Sequence, residues 1–263
     1  MPTDKLIILP CILEFGFRIL KDIRYCYKLP NKKLVFIDRG MEALYPNCEY
    51  CYDFNQVKDW QRGTGNKYRW LWEKYDTELK FRFSISHPDW KPIRVLEAYH
   101  KCGDAVYRNS WTTTNIKFPL KVNNYFSSYD VIISPRYRLI ASNRNLNWDS
   151  LISNLSGYKI GIAGHPDTST KYTYTSAWEH PDGTTAGTID MLGNCKVYIG
   201  GDSGVSHLAA FMGIPSIIVH HFGMTGIIRK TNPNTIVVKN MEEAWSALLK
   251  LEKNSWKFEN IKW

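Results

Sequence analysis

Long apolar runs are missing from this chain of 263 residues. A membrane-spanning helix needs about 20 consecutive apolar residues, and no uncharged apolar stretch approaches that length, so a span of that kind is excluded. The opening run Leu6-Ile7-Ile8-Leu9 is soon broken by Pro10 and then Glu14. That is too short for a secretory signal, and a first β-strand is expected there instead. Also missing is a second cysteine pair to match Cys48-x-x-Cys51. Structural zinc wants four ligands, so two ordinary thiols on the strand Cys48-Glu49-Tyr50-Cys51-Tyr52 are expected. The remaining cysteines, Cys11, Cys26, Cys102 and Cys195, are scattered, as suits a reducing, cytoplasmic compartment. Internal repeats and low-complexity tracts are absent.

What is present is an ordinary globular composition, 44% apolar and 22% charged. The length corresponds to one or two domains. Lys and Arg number 34 against 25 Asp and Glu, a net charge of +9. Such a surplus points to an anionic partner: phosphate groups, nucleic acid or an acidic surface. Residues 58–121 hold 13 Lys and Arg against 7 Asp and Glu, so most of the surplus lies there, together with Trp60, Tyr68, Trp70, Trp72, Trp90 and Trp111.

On either side of that segment the pattern is α/β. Leu6–Leu9 predicts a strand, Arg18–Lys28 a helix stopped by Pro30, and Lys33–Ile37 the next strand, a βαβ unit with a parallel sheet. After a break near Asn123–Tyr129 the alternation resumes. Strands are expected at Asp130–Ser134, Tyr158–Ala163, Lys196–Ile199 and Pro215–Val219. Helices are expected to open at Asn147, to cover Ile189–Leu192 and Ser203–Met212, and to run over Met241–Leu251 with Asn240 as cap. The fold class is therefore α/β, with two Rossmann-like lobes over residues 1–125 and 126–263 and a ligand cleft between them, at the carboxyl ends of the strands.

The sharpest local feature is Ile199-Gly200-Gly201-Asp202-Ser203-Gly204-Val205-Ser206-His207-Leu208-Ala209-Ala210. A strand ends in two glycines and a helix begins at once. The first helical amides have no intrahelical partners and, with the helix dipole, form an anion site. Asp202 is open to two roles, helix cap or acceptor for ligand hydroxyls, and His207 lies one turn further on. The next strand leaves into His220-His221-Phe222-Gly223-Met224-Thr225-Gly226, a second glycine-bearing loop.

The run Gly201–Ala210, followed by Gly213-Ile214-Pro215, resembles the signature of the heptosyltransferase-like, family 9 type, glycosyltransferases. Ser134-Pro135-Arg136, Asn143-Arg144-Asn145 and Trp148 also look like that family's entry to its second lobe. The resemblance implies a GT-B fold, a nucleotide-sugar donor in the C-terminal lobe, no obligatory metal or other cofactor, and inversion at the anomeric carbon. It puts the donor phosphates on the amides of Ser203 and Gly204 and on Arg144 or Arg136, whose forked guanidinium binds two oxygens at once. Gly201, Asp202, His207 and Gly223 complete the donor loops, and His165 and Met191 are expected near the base or sugar.

An inverting transfer needs a base. The family carries an acidic residue in a Gly-Asp turn of the first loop, whereas this chain reads Glu14-Phe15-Gly16-Phe17, so Glu14 is the catalytic candidate, ahead of Asp22 and Asp38. Its flanks, Leu13 and Phe15, raise a carboxyl pKa toward the range a general base needs. The acceptor is anionic on charge grounds. A glycan or lipopolysaccharide-type saccharide follows from the resemblance. A hydroxylated base in nucleic acid, as for virus-type DNA glycosyltransferases, would use the basic aromatic middle, and a non-catalytic nucleotide-sugar binder is the remaining alternative.

Overall fold

The computed structural model describes residues 5–8, 23, 32–37, 41–51, 89, 91–93, 128–135, 146–163, 185–219, 228–229 and 231–258. The chain divides into two compact units, Met1–Ser110 and Trp111–Trp263. The expected helix Arg18–Lys28 lies outside the described residues apart from Ile23, which is buried.

The first unit holds a four-stranded parallel sheet in the order β3-β2-β1-β4. Its strands are β1 (Lys5–Ile8), β2 (Lys32–Phe36), β3 (Glu49–Cys51) and β4 (Lys91–Ile93). Pro92 cannot donate to a ladder, and β4 stands at the sheet edge where that costs least. A single 3₁₀ turn, Glu42–Leu44, leads into β3, and Leu44 and Tyr45 are buried beneath it. Tyr50 ties the two together, its hydroxyl donating to the carbonyl of Tyr45 at 2.8 Å. Burial pushes the Cys48 thiol up from its usual value against the opposing effect of Lys33. Among the described residues no three His, Cys, Asp or Glu side chains gather as a metal site would require.

The second unit is a five-stranded parallel sheet in the order β6-β5-β7-β8-β9. The strands are β5 (Tyr129–Ser134), β6 (Ile160–Ile162), β7 (Cys195–Gly201), β8 (Ser216–Val219) and β9 (Thr235–Val238). Helices α1 (Asp149–Asn154), α2 (Thr185–Gly193), α3 (Gly204–Phe211) and α4 (Met241–Lys253) alternate with them. β9 was not expected from the sequence; it closes the sheet edge, with Val237 turned outward and Ile236 and Val238 buried. Parallel strands covered on both faces read as unbroken apolar runs, and β5, β7 and β8 do so at Val131–Ile133, Val197–Ile199 and Ile217–Val219, all inaccessible to solvent.

Local signals set the helix ends. Asn240 caps α4 by accepting from the Glu243 amide at 2.8 Å, and the Glu243 carboxylate takes the amide of Lys239 at 2.8 Å. Met241, Ala244, Ala247, Leu248 and Leu251 form its buried stripe, which joins Trp148, Leu151 and Leu155 in the core. Helix α3 ends at Gly213, whose φ of 74° is left-handed. The amides of Gly213 and Ile214 return to the carbonyls of Ala210 and Ala209, at 3.1 and 2.9 Å, closing the helix with a Schellman motif. Among the described residues no helix is long and apolar enough to cross a membrane.

Candidate functional site

The chain runs from β5 outward to the edge strand β6 and then back to β7, on the other side of β5. In an open parallel sheet, the carboxyl ends of the two strands flanking such a reversal form the ligand crevice. Here those ends are Ser134 and Gly200-Gly201, Ser134 standing opposite Gly200 in the register. Val219, the last residue of β8, stands opposite Gly201 on the other side. The glycine-rich turn is thus placed where this topology binds ligands.

Both glycines face crowded surroundings. A Cβ on Gly200 would fall on the ring and hydroxyl of Tyr198, two residues back on the same strand face. One on Gly201 would lie 3.2 Å from Leu146 Cδ1. The backbone then turns through Asp202 and Ser203 into α3. The cap is Ser203 and not Asp202: Ser203 adopts extended φ and ψ of −149° and 166°, and its Oγ accepts from the Ser206 amide at 3.3 Å. That leaves Asp202 one residue before the cap, its side chain 22% exposed, free of the capping role. Of the first helical amides, Ser206 is therefore satisfied and His207 returns to the Ser203 carbonyl at 3.2 Å. Among the described residues no acceptor meets the N–H of Gly204 or Val205.

His207 sits one turn into α3, 4% exposed, with Nε2 3.6 Å from Asp202 Oδ1. That separation exceeds a hydrogen bond. Its Nδ1 is buried and meets no partner among the described residues. An orphaned buried polar atom is uncommon enough to need a reason.

The structure joins beneath this turn two residues to which the sequence analysis assigned no role of their own, Tyr198 and Ser206. Tyr198 is fully buried, its hydroxyl 2.9 Å from Ser206 Oγ. Burial pushes this phenol up, the neighbouring serine hydroxyls opposing. The available signal was the spacing Tyr198-x-Gly200, an aromatic placed so that only glycine fits two residues later.

Of the expected donor residues, Gly201, Asp202, Ser203, Gly204 and His207 are brought together. Met191 lies on α2, fully buried, with its Cε in the space before Gly161, so its side chain packs the core between helix and sheet. Glu14, Arg136, Arg144, His165 and Gly223 lie outside the described residues, as does most of the basic aromatic segment.

No family model and no curated protein matches the sequence. Solved structures do match. The Escherichia coli heptosyltransferase WaaC with ADP superposes with a TM-score of 0.54 at 13% identity, over 96% of this chain and 99% of that one. The glycosyl transferase family 9 protein from Veillonella parvula DSM 2008 gives 0.55 at 12% identity, over 97% and 98%. The fold is GT-B. The α/β architecture and GT-B likeness expected from the Gly201–Ala210 signature are those observed, and the match runs over almost the full length of both proteins. At such identity it is the GT-B fold that is shared; what the chain does with it has to come from the turn between β7 and α3.

Proposed function

We propose that the protein is a glycosyltransferase that takes a sugar from a nucleotide-sugar donor and passes it to an acceptor hydroxyl with inversion and without a metal. The observation that carries this reading is the Gly200-Gly201 turn at the reversal point of the second sheet, with the Gly204 and Val205 amides unused and His207 Nδ1 buried without a partner among the described residues. Polar groups left unsatisfied in that arrangement are ones a ligand can satisfy. A donor diphosphate suits them because amide donors at a helix N-terminus favour anions. The heptosyltransferase with a similar fold is itself solved with ADP.

In this reading the leaving diphosphate lies across Gly204 and Val205, and Arg136 or Arg144 supplies its cationic partner. As the bond from the anomeric carbon to the phosphate oxygen breaks, negative charge grows on that oxygen, and fixed amide dipoles stabilise it without reorganising. The acceptor oxygen attacks from the opposite face and its proton passes to Glu14. Asp202, freed from capping, accepts from donor hydroxyls. The anionic diphosphate already accounts for part of the basic charge, and a saccharide acceptor bearing acidic groups accounts for more.

The test is a panel of ADP-, GDP- and UDP-sugars followed by thermal unfolding and by transfer to saccharide acceptors, with and without a chelator. A ligand held at 100 times its Kd stabilises the folded form by about 2.7 kcal/mol. The expected result is stabilisation by one nucleotide class, insensitive to the chelator, with transfer lost and binding kept in Glu14→Gln. If no nucleotide sugar stabilises the protein, the reading is wrong.

A further inference from the structure

The turn that carries the proposed donor site is held by a knot of buried hydroxyls, and we propose that Tyr198 is a positioning residue for diphosphate binding, acting through Ser206 and the Gly201 carbonyl. This rests on the donor-site reading above.

The proton assignment follows from what each atom can do. Ser206 Oγ lies in close contact with the Gly201 carbonyl, which can only accept, so the Ser206 hydroxyl donates there. With its proton committed, Ser206 Oγ is an acceptor to its other neighbours. Tyr198 at 2.9 Å and Ser203 at 3.1 Å therefore both donate to it, filling its two lone pairs. Ser203 Oγ in turn accepts the Ser206 amide at 3.3 Å. Burial keeps the Tyr198 phenol protonated, as the donor role requires.

Two consequences reach the site. First, the Gly201 carbonyl is pinned toward the base of α3. A trans peptide puts the carbonyl and the following N–H on opposite sides, so the path of the chain through Asp202 into Ser203 is fixed before any ligand arrives. Second, the Ser203 hydroxyl is committed inside the knot and has no proton to give a phosphate. Anion binding then falls to the Gly204 and Val205 amides, whose direction depends on the knot. A phenylalanine at 198 would fill the core equally well, so the packing alone does not call for the hydroxyl that bonds Ser206.

The experiment compares wild type with Tyr198→Phe, titrating ADP, GDP and UDP by calorimetry and the matching nucleosides by saturation-transfer NMR, with the melting temperature measured alongside. Loss of one hydrogen bond that aligns a binding group is expected to weaken the diphosphate about tenfold while the nucleoside is unchanged. Ser206→Ala, which removes the hub, should show the same selective loss and serves as the test if Tyr198→Phe does not fold. A diphosphate affinity within about twofold of wild type overturns the proposal, as does a parallel loss of diphosphate and nucleoside, which a merely structural role would give. Failure of both variants to fold makes the knot a folding element and overturns it too. A wild type that binds none of the three diphosphates refutes the donor site itself, and the positioning role falls with it.

Discussion

The ring of Tyr198 occupies the space that a side chain on Gly200 would need. The two residues share one face of β7, and β5 and β8 close the strand on both sides. Gly200→Ala would press a methyl onto an aromatic ring that has no exposure and a hydroxyl bond to keep. Overpacking of this kind costs about 1–3 kcal/mol. Gly161→Ala is the control: its methyl would press most closely on Ile132 Cδ1 and Met191 Cε, the ends of flexible side chains, and only touch the Tyr129 ring at 3.1 Å. Urea unfolding should show the larger loss of midpoint for Gly200→Ala. The opposite order would mean that the tyrosine ring moves more easily than its burial implies.

The cap assignment gives a second ordering. Ser203 carries the N-cap bond of α3, and Asp202 does not. Replacing a capping serine by alanine costs about 1 kcal/mol. Ser203→Ala should therefore lower the unfolding midpoint more than Asp202→Ala, while Asp202→Ala should weaken nucleotide-sugar binding more than it weakens the fold. Equal loss of stability in both would return the capping role to Asp202.

The sequence offered Asp202 as the cap and the structure gives that place to Ser203, which shows where its information ends. Asp and Ser stand side by side, both cap helices, and only the backbone angles at Ser203 decide between them. The central strands were legible because burial on both faces demands continuous apolar runs, and α4 because Asn240 marks its start. Strand β4 was not, since Lys91-Pro92-Ile93 has no apolar run and is held by its place at an edge. Strand β9, only Thr235-Ile236-Val237-Val238, is short enough to be missed between loop and helix. Met191 could not be placed from sequence because periodicity puts a methionine on a face without saying what that face meets. Tyr198 was hidden by its class: counted as apolar, it acts through its hydroxyl.

Acid stability provides a third test, away from the site. The Asp130 carboxylate on β5 accepts from Lys196 Nζ on β7 at 2.6 Å and from the amide of Lys159, just before β6, at 2.9 Å. The Lys196 bond chiefly, then the Lys159 amide, holds its pKa below the usual 3.8. A carboxyl depressed in the folded state contributes stability that is present above its unfolded pKa and is lost as pH falls through the folded one. Melting temperatures taken from pH 6 down to pH 3 should therefore fall more steeply for wild type than for Asp130→Asn, the two curves converging at the acid end. The effect is small, because the pair is partly exposed and screened by solvent. Curves that stay parallel would show that Asp130 contributes nothing pH-dependent.

His207 gives the sharpest separation of stability from function. Its imidazole is almost wholly buried, with Nδ1 unpartnered among the described residues and Nε2 turned toward the Asp202 carboxylate at 3.6 Å. A buried polar atom without a partner costs about 1–3 kcal/mol, so the histidine is a poor choice for α3 as a packing element alone. Leucine at this position would remove the orphaned nitrogen and still fill most of the space against the sheet. The His207→Leu protein should then melt at the wild-type temperature or somewhat above it. Asp202 would lose the neighbour facing it, and nucleoside diphosphate affinity should fall about threefold or more. Thermal unfolding and calorimetry on the same preparation check both halves. A variant that loses stability while keeping its affinity would make His207 a core residue of α3, and the unpaired Nδ1 would then have no bearing on the ligand.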